Sequence, residues 1–238
     1  MPNHKTPHTC PDLEREERIG FAEVIYCPGK TDKQLEDMGR ALFGNHQNVL
    51  ATRATPEQAA LLQAISKDTE YNELARVVYI RRDKTPRGRG NIAVVSAGTC
   101  DLPVAEEAAC CAEVMGNAVE RIYDVGVSGL HRVMAHRETL EEAEVVVVVA
   151  GMEGALPSVV GGLISRPVIA VPTSIGYGTS FQGVTPLLSM LNSCAPGVSV
   201  VNIDNGFGAA FAATRINRAP KPAPDTKNAD KSKKEGSK

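Results

Sequence analysis

The hydrophobic pattern is clearest at Val145–Ala150, where five consecutive valines leave no polar face. An apolar run this short, rich in β-branched residues and followed by Gly151, predicts a central strand covered on both sides. Leu156-Pro157-Ser158 then opens a helix, with Pro157 in the first turn, where its missing N–H costs little. From Asn91 onward this strand–turn–helix rhythm repeats five times. The predicted strands are 92–96, 119–124, 145–150, 168–171 and 198–202. The helices between and after them are predicted at about 103–115, 128–136 (continuing or restarting to 143), 157–163, 184–192 and 207–217. Such alternation predicts a parallel sheet with helices on both faces, an α/β/α sandwich of flavodoxin-like strand order.

The chain before Asn91 has a different rhythm. Phe21–Cys27, Asn48–Thr52 and Val77–Ile80 have strand character. Between them, Thr31 and Thr55 stand as helix N-caps, the second followed by Pro56 at the first helical position. This predicts a small β-α-β-α-β domain at 19–82, too thin to cover both faces of its own sheet and therefore packed on the rest of the chain or on another subunit. A polar arm at 1–18, a charged Pro- and Gly-containing linker at 83–90, the second domain at 91–217 and a disordered tail at 218–238 complete the expected organisation.

The 238 residues carry a net charge of −2 with 4% aromatic residues and no tryptophan. Neither a basic surface nor rows of stacking rings point to nucleic acid. No apolar run reaches the roughly 18–20 residues of a membrane span, and MPNHKTPHTC has no apolar signal segment, so a cytoplasmic protein is expected. The six cysteines include no C-x-x-C pair, and His131 and His136 are five residues apart, off one helical stripe; no metal site is expected.

In an open α/β sheet, ligands bind beyond the carboxyl ends of the strands. The turns there hold the candidate chemistry. Ser96-Ala97-Gly98-Thr99-Cys100-Asp101 combines a permissive glycine with a helix N-terminus suited to phosphate. Asp101 is there either as a helix cap or as a ligand group, and the two roles are compatible. Asp124 ends the next strand, ahead of His131-Arg132, a pair able to meet an anion or simply to stay solvated on a helix face. Gly151 and Glu153 follow the valine strand. The glycine- and hydroxyl-rich stretch Pro172–Gly183, with Ser174, Gly176 and Tyr177, is a candidate lid but lacks a dinucleotide fingerprint. Cys194 precedes Ala195-Pro196-Gly197 at a helix end, where the helix dipole disfavours a thiolate; Cys100, at a helix start, is better placed for one.

Together these turns resemble the LarB family: SAGTCDLPVAEE (96–107), YDVGVSGLHR (123–132), AGMEGALPSVVGG (150–162), Pro172–Gly183 and Asn192–Gly197. LarB is the nicotinic acid adenine dinucleotide carboxylase/hydrolase, also called pyridinium-3,5-biscarboxylic acid mononucleotide synthase, at the start of nickel-pincer nucleotide (lactate racemase cofactor) biosynthesis. The second domain is similar, more distantly, to PurE, the aminoimidazole ribonucleotide carboxylase. Gly98–Asp101, His131-Arg132 and Gly151–Ser158 parallel three PurE turns.

The resemblance implies a PurE-like fold and Cys194 as nucleophile, with Glu153 the candidate for proton transfer or for water activation at the phosphoanhydride. It implies Gly98, Thr99 and Asp101 on phosphate and ribose, with His131 and Arg132 near anionic groups. Ser96, Asp124, Gly151, Ser174, Gly176 and Tyr177 complete the expected binding set. Nicotinic acid adenine dinucleotide and CO2 are the implied substrates, with no tightly bound cofactor, Mg2+ allowed, and a homo-oligomer, an octamer, as the assembly. Cys100 stands where serine is expected. A PurE-type aminoimidazole ribonucleotide carboxylase or mutase and a non-catalytic nucleotide-binding module are the competing readings.

Overall fold

The computed structural model describes residues 8–218. Its larger sheet has five parallel strands: β5 (Asn91–Ser96), β6 (Ala118–Ile122), β7 (Val145–Ala150), β8 (Val168–Pro172) and β9 (Val198–Val200). Their order is β6-β5-β7-β8-β9, the flavodoxin-like arrangement expected from the alternating pattern. All six residues of β7 are buried. Its valines alternate between two cores, Val145, Val147 and Val149 on one face, Val146 and Val148 on the other. Side chains alternate across a strand, so a run apolar at every position needs cover on both faces.

Helices α4 (Leu102–Val114) and α9 (Gly206–Asn217) cover one face. The other is covered by α5 (Leu130–Met134), α6 (Arg137–Glu142), α7 (Leu156–Leu163) and α8 (Val184–Leu191). Ala105, Ala108, Ala109 and Ala112 of α4 share a core with Ala209, Ala210 and Ala213 of α9; these small side chains let the two helices approach closely.

The first domain departs from β-α-β-α-β. It contains β1 (Ile25–Tyr26), α2 (Asp32–Asn45), β2 (Asn48–Thr52), α3 (Pro56–Gln63), β3 (Glu70–Asn72) and β4 (Val77–Arg81), with sheet order β1-β2-β4-β3. Only β1 and β2 run parallel; β4 lies antiparallel to both neighbours. The additional strand, Glu-Tyr-Asn, is too short and polar to show a period of two, and only two residues of Phe21–Cys27 pair as strand. Thr31 and Thr55 do cap their helices, each within a capping box closed by Gln34 or Gln58. Leu50 and Val77 join α4 in one core, so the first domain's sheet uses a helix of the second domain as its outer layer.

The described parts of the arm, the linker and the first residue of the tail make tertiary contacts. The arm forms α1 (Arg15–Ile19), where Glu16 meets His46 at 3.1 Å and Arg87 at 3.6 Å. In the linker, Asp83 exchanges hydrogen bonds with Asn48, Arg87 N–H donates to the Gly116 carbonyl, and Arg89 N–H donates to the Asn217 carbonyl. Pro and Gly there prevent regular structure without preventing tertiary hydrogen bonds. Arg218, the first residue assigned to the tail, pairs with Gly88 and donates to the Gly20 carbonyl. Residues 1–7 of the arm and 219–238 of the tail lie outside the described residues.

Candidate active site

The strand order reverses between β5 and β7, and a cleft of about 530 Å³ opens beyond their carboxyl ends. This is the position at which open α/β sheets bind ligands. Gly98, Thr99, Cys100, Asp101, Asp124, Gly151 and Glu153 line it, joined by Met152 and Ser128. Glu153 is exposed, on the turn between β7 and α7.

Asp101 is buried, at 4% exposure, which sets its role. It makes no cap on α4; its Oδ2 accepts from the Gly98 N–H at 2.9 Å and its Oδ1 from the Thr173 hydroxyl at 2.7 Å. Burial raises its pKa, opposed by the hydrogen bonds from Thr173, Gly98 and Gly151. The carboxylate therefore shapes the Gly98–Asp101 turn and ties it to the end of β8, leaving the turn's other groups facing the cleft. Ser96 is also structural: fully buried, its Oγ accepts from the Asp124 N–H at 3.2 Å.

Asp124 sits at φ 58°, an uncommon conformation for a non-glycine residue, and its carboxylate is 3.2 Å from Arg132. Arg132 also donates to the Asp124 carbonyl, which holds the guanidinium against Asp124, but Arg132 does not itself line the cleft. His131 is exposed on α5 and does not line the cleft. Gly151 is required where it stands: a Cβ would lie 2.4 Å from the Ile175 carbonyl oxygen and 2.6 Å from Thr173 Oγ1.

The loop after β8 divides the cleft from a second pocket of about 240 Å³, and Cys100 and Ile175 line both. Ser174 faces this second pocket, its N–H bonded to Asp204 Oδ1 at 2.8 Å. Gly176 and Tyr177 line neither space; Tyr177 is 81% exposed. Sequence reading passed over Arg53, Arg76 and Asp204, which line the second pocket. No local motif marks them, because they come from separate elements of two domains.

Cys194 is the largest departure from the expected constellation. It is exposed and lines neither space. The crossover from β8 carries α8 away from the carboxyl edge, so the residues after its end descend along the flank. Ser193 meets Ser158 there at 2.7 Å, and the Gly197 carbonyl accepts from the Val168 N–H at the start of β8. Within the single chain Cys194 therefore lies outside the cleft that Glu153 lines. Among the described residues no three His, Cys, Asp or Glu side chains gather as a metal site, and no helix is long and apolar enough to cross a membrane.

Comparison with known proteins matches residues 4–83 to the LarB/PurE-like N-terminal domain and residues 91–237 to AIR carboxylase. The chain belongs to the LarB family. An uncharacterized protein of Methanocaldococcus jannaschii is 40% identical over 214 residues, 86% of this chain and 82% of that protein. Two N5-carboxyaminoimidazole ribonucleotide mutases are also similar. The M. jannaschii mutase is 34% identical over 130 residues (52% of this chain, 77% of the mutase), and the Pyrococcus horikoshii mutase 32% over 133 residues (52% and 71%). For this LarB-family chain the domain order, the parallel sheet and a PurE-related, carboxylase- or mutase-type activity follow from these matches.

Proposed function

We propose that this protein carboxylates the pyridinium ring of nicotinic acid adenine dinucleotide with CO2 and hydrolyses the phosphoanhydride, releasing pyridinium-3,5-biscarboxylic acid mononucleotide and AMP for nickel-pincer nucleotide assembly. The observation that carries this reading is the LarB-type first domain joined to the carboxylase-type domain. The mutase relatives align over too little of the chain to include both domains.

A cationic pyridinium does not attack CO2. Addition of the Cys194 thiolate beside the ring nitrogen forms a C–S bond and neutralises the ring as an enamine. The enamine carbon attacks CO2, forming the new C–C bond and returning positive charge to nitrogen. Glu153 takes the proton from that carbon, and the electron pair released restores the ring as the C–S bond breaks and thiolate leaves. Thr99 receives phosphate on its backbone N–H, the Gly98 N–H being held by Asp101, and Arg132, held by Asp124, supplies positive charge beside the cleft.

This chemistry requires Cys194 and Glu153 to meet, and in one chain Cys194 lies outside the cleft that Glu153 lines. The reading therefore includes a homo-oligomer in which Cys194 of one subunit enters the cleft of another. The flank bearing Cys194 supports it: Phe181, Leu188 and Leu191 are 68%, 59% and 62% exposed, an apolar face unusual on a lone subunit. Incubation with nicotinic acid adenine dinucleotide and bicarbonate, followed by mass spectrometry, tests the function. The biscarboxylated mononucleotide and AMP are expected; turnover of N5-carboxyaminoimidazole ribonucleotide with no dinucleotide product would overturn the reading.

A further inference from the structure

The pocket of about 240 Å³ behind Cys100 and Ile175 lies between the two domains, lined by Arg53, Ala75 and Arg76 from the first and by Glu107, Ser174 and Asp204 from the second. Its charges are unequally committed. Arg53 donates to the Asp204 carbonyl and lies 3.8 Å from Glu107, which is buried and also accepts from the Phe207 N–H. Asp204 accepts from Ser174. Arg76 instead rests on carbonyls alone, those of Arg53 at 3.2 Å and Ala54 at 3.5 Å, and has no carboxylate partner among the described residues. A guanidinium that is held in place, exposed to a pocket and not neutralised is suited to a phosphate oxygen.

Backbone strain is concentrated at the same place. Arg53, Arg76 and Asp204 have φ of 56°, 54° and 55°; Asp124 and Met152 in the adjoining cleft have 58° and 52°. These are five of the seven described non-glycine residues with positive φ, a conformation retained where the surrounding structure enforces it and concentrated at ligand sites. Because the pocket shares two wall residues with the cleft, one extended ligand can occupy both.

We propose that the interdomain pocket binds the second, phosphate-bearing nucleoside half of a dinucleotide, with Arg76 meeting a phosphate oxygen, so that the first domain selects a dinucleotide over a mononucleotide. This rests on the reading of the substrate as nicotinic acid adenine dinucleotide. Arg53 is a positioning residue that closes the domain contact; Arg76 is the binding residue.

Titration calorimetry with AMP and with nicotinic acid mononucleotide separates the two spaces. The wild-type protein binds both. Arg76→Gln weakens AMP binding tenfold or more, Arg76→Lys weakens it less, and mononucleotide affinity stays within twofold, which also shows that the variants are folded. AMP affinity unchanged by Arg76→Gln, or an absence of AMP binding to the wild type, would overturn the proposal. The two readings fail separately. Arg76-dependent AMP binding without turnover of the dinucleotide removes the function and leaves the pocket. Equal KM for the dinucleotide in wild type and Arg76→Gln removes the pocket and leaves the function.

Discussion

Thr173 donates its hydroxyl hydrogen to Asp101 across 2.7 Å, and both residues are buried. The bond joins the turn after β5 to the end of β8, spanning β7 and fixing the floor of the cleft. Thr173→Val keeps the shape and removes the donor, leaving one carboxylate oxygen short of a partner. An unmade buried hydrogen bond costs about 1–3 kcal/mol, so the variant is expected to lose stability by that amount and to unfold at a lower urea concentration. Nucleotide affinity is expected to fall with it as the Gly98–Asp101 turn loosens, while Thr173→Ser restores both. Equal urea midpoints for wild type and Thr173→Val would remove the proposed structural role.

Glu153→Gln and Cys194→Ser are each expected to abolish carboxylation. The first removes the base and retains nucleotide binding. The second replaces a thiol by a hydroxyl that ionises poorly near neutral pH. Because the residues lie apart within one chain, mixing the two inactive variants under conditions that allow subunit exchange should restore part of the activity. Labelled bicarbonate incorporation in the mixture measures it. An inactive mixture, with exchange verified by mass, rules out a shared site.

Cys100 tests the resemblance at one residue. It lines both spaces, at a position where the resemblance implies serine. Cys100→Ser is therefore expected to change kcat less than about twofold, since either side chain leaves the turn's backbone N–H groups in place. A dead Cys100→Ser beside an active Cys194→Ser would make Cys100 the nucleophile.

The thiols divide by burial. Cys10, Cys100 and Cys194 are exposed in the single chain and Cys27, Cys110 and Cys111 buried, so a thiol reagent should modify the last three only on denaturation. Burial pushes Cys27 up to about 11 and Cys110 up to about 12. Thiols in the unfolded chain ionise near pH 8.5, well below both. Above that pH the unfolded state gives up protons that the folded state keeps, so stability falls as pH rises toward 11 and 12. Urea denaturation across this range should show a shallower fall for Cys110→Ala than for the wild type; parallel curves would contradict the buried-thiol assignment.

The exposed residues Leu188 and Leu191, beside Cys194, bear on assembly. Replacing Leu188 by Lys is expected to lower the oligomer mass in light scattering and to reduce carboxylation with it, because the shared site would be lost. A monomer mass for the wild type at micromolar concentration would contradict the assembly.

Local sequence was enough for the second domain because its signals are local. Val145–Val149 must be covered on both faces wherever the strand sits, and alternation with helices leaves a parallel sheet as the arrangement that covers it. The same holds for Thr31 and Thr55, whose side chains satisfy N–H groups three residues away. The Gly98–Asp101, Asp124 and Gly151–Glu153 turns were legible for a related reason: each ends a strand, and parallel strands deliver their turns to one edge. Tertiary structure alone decided the rest. Asp101 became a strut because Thr173, 72 positions away, folds over it, and the linker became a strap because Asn48 and Asn217 meet it from opposite ends of the chain. The direction of α8 leaves Cys194 outside the cleft, and Arg53 and Arg76 reach the adjoining pocket from a domain whose own pattern concerns only its core. Periodicity records which side of an element is buried; it holds no information on which distant element does the burying, and a site assembled from several elements depends on that second fact.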